Sequence, residues 1–243
     1  MLEAFLWGLV ASSSLLLGGV VALRRSGGPR FLGAVMAYGA GVLISAVAFE
    51  LVEEAFASSH LLSDVALGLF AGCAVFSIGD AVIDRMGGAD RKRSGGQQAS
   101  GAALPIVLGI VLDGIPESAV IGLTLFEGGA VSAALLAAVF ISNVPEAFAA
   151  TSGLAAAGWR HANILALWGL VMLVSALAAL AGYAFFDGVS ASGVAFVLAF
   201  AGGAILTMLA DTMMPEAYEH GGKLVGVFTT LGFATAFAIS AFE

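Results

Sequence analysis

The chain has 243 residues, of which 60% are hydrophobic and only 11% charged, and its mean hydropathy is +1.03. Soluble domains hold roughly 45–50% apolar and about 25% charged residues, so this composition excludes an ordinary water-soluble globule. It predicts an all-α membrane protein in one transmembrane domain covering residues 1–243, with room for about eight spans of about 20 residues each. The formal charge of −8 describes no solvent-facing patch, because several acids fall inside or at the ends of apolar runs, and no nucleic-acid partner is expected. A single cysteine, Cys73, excludes an internal disulfide.

In chain order the apolar runs predict spans at about 2–23, 31–56, 61–86, 103–126, 129–157, 162–186, 190–217 and 221–243. No basic segment precedes the first run, which is therefore expected to be a retained span and not a cleaved leader. Connections are short except for the polar stretch 87–101, which carries Arg91-Lys92-Arg93. The runs are too long and too evenly apolar for barrel strands.

Every Lys and Arg lies in or beside an odd-numbered connection: Arg24, Arg25 and Arg30, then Arg85, Arg91, Lys92 and Arg93, then Arg160, then Lys223. Even-numbered connections carry acids such as Glu53, Glu54, Asp64, Glu127 and Asp187. By the positive-inside rule the odd connections are cytoplasmic and both termini extracytoplasmic, which requires an even span count. The chain also repeats internally. At a shift of 162 residues Gly41–Phe56 lies over Gly203–Tyr218, with Ser45 over Thr207, Phe49-Glu50 over Asp211-Thr212, and Glu54-Ala55-Phe56 over Glu216-Ala217-Tyr218. At a shift of 29 the fourth span lies over the fifth. Both repeats run in opposite directions through the membrane. The expected layout is a 3+2+3 inverted repeat, the plan of secondary transporters with a midplane site.

Four groups of acids stand out. Glu50, Glu53 and Glu54 fall on one side of the outer end of the second span, as an outer entrance or as simply solvated boundary residues. Asp113 and Glu117 are four apart on the fourth span, in Asp113-Gly114-Ile115-Pro116-Glu117-Ser118. Asn143 and Glu146 share a face of the fifth, in Ser142-Asn143-Val144-Pro145-Glu146-Ala147. Asp211 and Glu216 end the seventh, as an inner exit or again as solvated groups. A carboxylate at bilayer depth costs several kcal/mol at least, so three converging there need protons or a cation to neutralise them. Each proline also frees a carbonyl one turn back as a further oxygen ligand. His60, His161 and His220 all sit at span ends, as interface residues. There is no H-E-x-x-H and no phosphate-binding loop, and no catalytic residue or permanently bound cofactor is expected.

These motifs resemble those of the ZIP family of divalent metal transporters, over essentially all eight spans. The family's fourth-span frame, His-Asn-x-Pro-Glu-Gly, reads Asp113-Gly114-Ile115-Pro116-Glu117-Ser118 here. Its fifth-span frame is matched by Ser142-Asn143-Val144-Pro145-Glu146. Glu50 and Glu54 take the His and Glu places of the second-span motif, and Asp211-Thr212-Met213-Met214-Pro215-Glu216 is close to Asp-Met-x-Pro-Glu. The resemblance implies metal movement toward the cytoplasm through the cell (inner) membrane and a homodimer. It also implies that the first, fourth, fifth and sixth spans move as an elevator against the other four. Asp113 and Gly114 replace the family's His and Asn, so one ion rather than two is expected, held by Asp113, Glu117 and Glu146 with Ser142 or Asn143 assisting. An all-oxygen set admits manganese, iron or cobalt beside zinc. The alternative is a membrane metal-binding or sensor protein without net transport. An intramembrane enzyme using Glu117 and Glu146 lacks a nucleophile or metal motif.

Overall fold

The computed structural model of the chain describes residues 1–24, 28–90, 93, 103–128, 131–186 and 189–242. Arg25, Arg91, Lys92 and Asp187, and most of the polar stretch 87–101, lie outside the described residues, as does the side chain of Glu127. Among the described residues the chain is helical, with no strand. Long apolar runs take this form because lipid offers a peptide group no hydrogen-bond partner, and a helix satisfies each group internally.

The helices are α1 (Leu2–Arg24), α2 (Pro29–Ala46), α3 (Glu54–Ser59), α4 (Leu62–Ile83), α5 (Ala103–Gly128), α6 (Ala133–Ala156), α7 (His161–Ala184), α8 (Ala191–Met208), α9 (Met214–Gly221) and α10 (Val225–Ala241). Seven continuous helical runs are long and apolar enough to cross a membrane, the last being Ala191–Ala241 at 51 residues. The protein is therefore of multi-pass membrane type. That last run breaks at Gly222, whose backbone (φ 57, ψ −137) favours glycine. Pro29 opens α2 at its first turn, where its missing N–H would have had no partner. Ser132 caps α6 by accepting from Leu135 N at 3.1 Å. His60 ends α3 in the left-handed region (φ 55, ψ 15), with its ring edge-on to Phe56.

Among the described residues three helical runs change pitch, α4 only at its end, where it passes into the π-helical segment Asp84–Gly88. α2 passes into α3 through a π-helical segment, Val47–Glu53, and α8 passes into α9 through another, Leu209–Met213. Val47 and Leu209 correspond under the 162-residue shift. A π turn inserts an extra residue into the helical count and so rotates the side chains that follow; such turns gather at functional positions.

The helices pack in two groups. α1, α5, α6 and α7 surround a core of Leu15, Ile106, Ile110, Leu154, Trp168 and Val171. α2 lies along α10, and α4 along α8, around a second and larger core. α2 also packs on α6, and α5 on α8, joining the groups. Contacts within the second group are glycine-limited: a Cβ added at Gly41 would fall on the Thr229 carbonyl, and one at Gly203 on the Leu69 carbonyl. Small residues at such crossings let backbones touch where lipid supplies no hydrophobic drive. Outward faces are apolar, as with Leu67, Phe70, Val75 and Ile78 on α4.

In the first group, Trp168 Nε1 donates to Thr151 Oγ1 at 2.7 Å, both residues being buried. Thr151→Val would leave that N–H without a partner. We expect it to destabilise the protein by about 1–3 kcal/mol, read as earlier thermal unfolding in detergent. An unchanged transition would show that the bond contributes nothing.

Candidate metal centre

Pro116 lies inside α5 and Pro145 inside α6, and both helices continue through them. Each proline is followed at once by a glutamate near mid-helix. α5 and α6 touch each other little; α1 and α7 lie against both. Between these four helices is a buried cavity of ≈ 10 Å³ lined by Glu117, Ser118, Asn143, Glu146 and Ser175, with Gly114 also on its wall. Leu15, Ile110, Ala150, Trp168 and Val171 supply its apolar wall. Such a volume holds about one water-sized particle, and these residues line it together.

Glu117 is 2% exposed and Glu146 7%, against 5% for Asn143. Glu117 Oε1 and Glu146 Oε1 are shielded from solvent and accept no hydrogen bond, although both side chains make other interactions. The donor set reaching the cavity is thus two carboxylates, one amide and two hydroxyls, all hard donors. Oxygen sets of this kind suit divalent cations from magnesium and manganese upward, with softer metals disfavoured relative to a histidine site.

Not every expected ligand reaches the cavity. Asp113 is buried at 2% exposure, but the wall at that level is formed by Gly114. Ser142 donates to the Val139 carbonyl of its own helix at 3.1 Å, and its Cα faces Gly39 of α2. Among the described residues no three His, Cys, Asp or Glu side chains gather closely enough to hold a metal together. Ser118 and Ser175 join the cavity without having been anticipated. Ser118 follows Glu117 directly, so the motif itself contained that signal. Ser175 comes from α7, and nothing in its local sequence marks it.

The acids at the helix ends also differ from one another. Glu53 and Glu54 are exposed. Glu50 is half-buried and accepts from Ser132 Oγ at 2.6 Å and from Ser240 Oγ at 2.7 Å. Asp211 lines an open groove of ≈ 680 Å³ whose other walls are mostly apolar residues of α4 and α8, among them Leu69, Phe70 and Leu206. Glu216 is buried, with its Oε1 3.0 Å from His220 Nε2. This pairing makes His220 more than a boundary residue, and its four-residue spacing from Glu216 was the available sign. Arg93 Nη1 meets Glu219 Oε2 at 2.6 Å and its Nε lies 3.4 Å from Asp90 Oδ1, exposed contacts of small energetic weight.

Comparison with protein-family models and with curated protein sequences finds no match to this chain.

Proposed function

We propose that the protein is a secondary carrier of a divalent metal cation, similar to the ZIP family, that moves its substrate toward the cytoplasm by alternating access. The observation that carries this reading is the one cavity shared by Glu117 of α5 and Glu146 of α6, deep inside a mostly apolar bundle. Two buried carboxylates facing one water-sized space repel each other unless a cation or protons neutralise them. A cation that enters and leaves such a site is substrate, not a fixed structural part. Asn143, Ser118 and Ser175 complete its oxygen shell in this reading. Asp113, one turn before Glu117 but off the cavity wall, is left out of that shell.

Eight spans with both termini outside fit this function. The 51-residue run Ala191–Ala241 is too long for one crossing of a hydrocarbon layer about 30 Å thick. It counts as two spans here, divided at Gly222. The packing supports an inverted repeat that exchanges α2 with α8 and α4 with α10. Gly41 meets Thr229 as Gly203 meets Leu69, and Gly232 meets the Tyr38 carbonyl as Gly72 meets that of Phe200. Tyr38 and Phe200 are themselves 162 residues apart, as are the starts of the π segments Val47–Glu53 and Leu209–Met213. The Arg93–Glu219 contact agrees with placing the third and seventh connections on one side. The division into two helical groups supports an elevator-like motion of α1, α5, α6 and α7 against the rest.

Purified protein in liposomes is expected to take up manganese or zinc saturably down a gradient. Uptake should weaken as the pH is lowered, because protons compete with the metal for the same carboxylates. Absence of flux in protein that still binds metal would favour the sensor reading over the carrier.

A further inference from the structure

The two ends of the bundle are not held in the same way. At the end bearing His60, three segments meet on one carboxylate. Ser132 Oγ, at the start of α6, donates to Glu50 Oε2 at 2.6 Å, and Ser240 Oγ, near the end of α10, donates to Glu50 Oε1 at 2.7 Å. Hydroxyl-to-carboxylate bonds of this length are of the stronger, charge-assisted kind. Ser132 is also committed in the other sense, since its oxygen caps α6 by accepting from Leu135 N.

The arms of this junction differ in permanence. α2 and α10 are already joined by backbone contacts at Gly41 and Gly232, and Phe49 packs on the rings of Phe233 and Phe237 at 6.0 and 5.1 Å. Ser240 therefore orients Glu50 within a unit that is rigid without it. Ser132 ties that unit to α6, which belongs to the other helical group and carries Asn143 and Glu146. A displacement of the start of α6 away from Glu50 must break this bond.

Symmetry sharpens the point. Under the 162-residue shift Glu50 corresponds to Thr212, whose hydroxyl donates to the Met208 carbonyl of its own helix at 2.7 Å. Under the 29-residue shift Ser132 corresponds to Ala103, which has no hydroxyl. The framework repeats at the opposite end, but this junction does not.

We propose that Glu50, Ser132 and Ser240 form a clasp that holds the His60 end of α6 shut against α2 and α10, so that the cavity is reached from that side only after the clasp opens. The proposal rests on the carrier reading for its purpose but not for its test. Glu50 is then a gate residue that positions α6, rather than a collector of cations in the clasped state.

The test uses full-length protein with Cys73→Ser and a reporter, Ala150→Cys, in the cavity wall, reconstituted without metal. A membrane-impermeant thiol reagent is applied from each face in turn. Ser132→Gly removes the hydroxyl while keeping most of the helix cap. It should speed labelling from the His60 face by about tenfold or more and leave the opposite face unchanged or slower. Glu50→Gln and Ser240→Ala should produce the same one-sided change, and they keep the test decisive if Ser132→Gly folds poorly. Labelling that stays at the parent rate in all three, or that rises equally from both faces, overturns the clasp. Absence of metal flux in the unsubstituted protein, with one-sided labelling preserved in the variants, would remove the carrier reading and leave the clasp standing.

Discussion

Glu117→Gln is expected to abolish metal uptake, lowering it by about a hundredfold or more. The change keeps the size and most of the polarity of the side chain but takes one negative charge from a cavity that holds one particle. A cation would then face a single carboxylate, Glu146, with neutral oxygens making up the rest of its shell. Removing one partner from a buried charge interaction costs about 3–5 kcal/mol, and each 1.4 kcal/mol is about tenfold in affinity. Glu146→Gln should fall in the same range, since it lines the same cavity from α6. Asp113→Asn should have a smaller effect, because Gly114 and not Asp113 forms the wall there. Radiometal uptake into liposomes, with binding measured in parallel, checks all three. Wild-type rates in Glu117→Gln would sink the site, and equal losses in all three would restore Asp113 to the ligand set.

Gly41→Ala and Gly203→Ala should each destabilise the protein by about 1–3 kcal/mol, the usual cost of overpacking a tight contact. The added methyl meets a backbone carbonyl in both, at Thr229 and at Leu69, and no rotamer change can move a carbonyl away. Gly226→Ala is the control. Nothing lies within 4 Å of a Cβ at Gly226 in α10, so the same chemical change should be neutral or should gain the helix propensity that glycine lacks. Unfolding in detergent, by heat or by denaturing surfactant, separates the cases. Similar losses at Gly41 and Gly203 would reflect the same kind of backbone contact at both. If neither differed from Gly226→Ala, the close helix crossings would not govern stability.

Part of the candidate site could be read directly from the chain. Pro116-Glu117 and Pro145-Glu146 announce themselves because a charge inside a long apolar run has few explanations other than a partner or a ligand. Their meeting could not be read, because α5 and α6 have little direct contact and the cavity between them is closed by α1 and α7. Helical periodicity places Asp113 and Glu117 on one face, yet a face is broad. Small differences of helix rotation decide that Gly114 and Ser118 border the cavity beside Glu117 while Asp113 is buried off its wall. Ser175 arrives from far along the chain, and a lone serine in an apolar helix carries no signal of its own. For Glu50, charge and position suggested an open collecting group. The actual partners are two serines, 82 and 190 residues away, which no local pattern relates to it.

What the amino-acid sequence determined alone is the helical, membrane-crossing character of the chain, the approximate extent of each apolar run and the identity of the two Pro-Glu pairs within such runs. Those follow from one-dimensional facts: lipid leaves a backbone no partner but itself, and a carboxylate within it is costly wherever the neighbouring helices lie. Tertiary structure alone decided which oxygens share a cavity, that α1, α5, α6 and α7 stand as one group, and that Glu50 is held by hydroxyls from two other helices. These depend on helix rotation and on close approach at glycines, where contacts between residues far apart in the chain select one arrangement among many that the same periodicity allows.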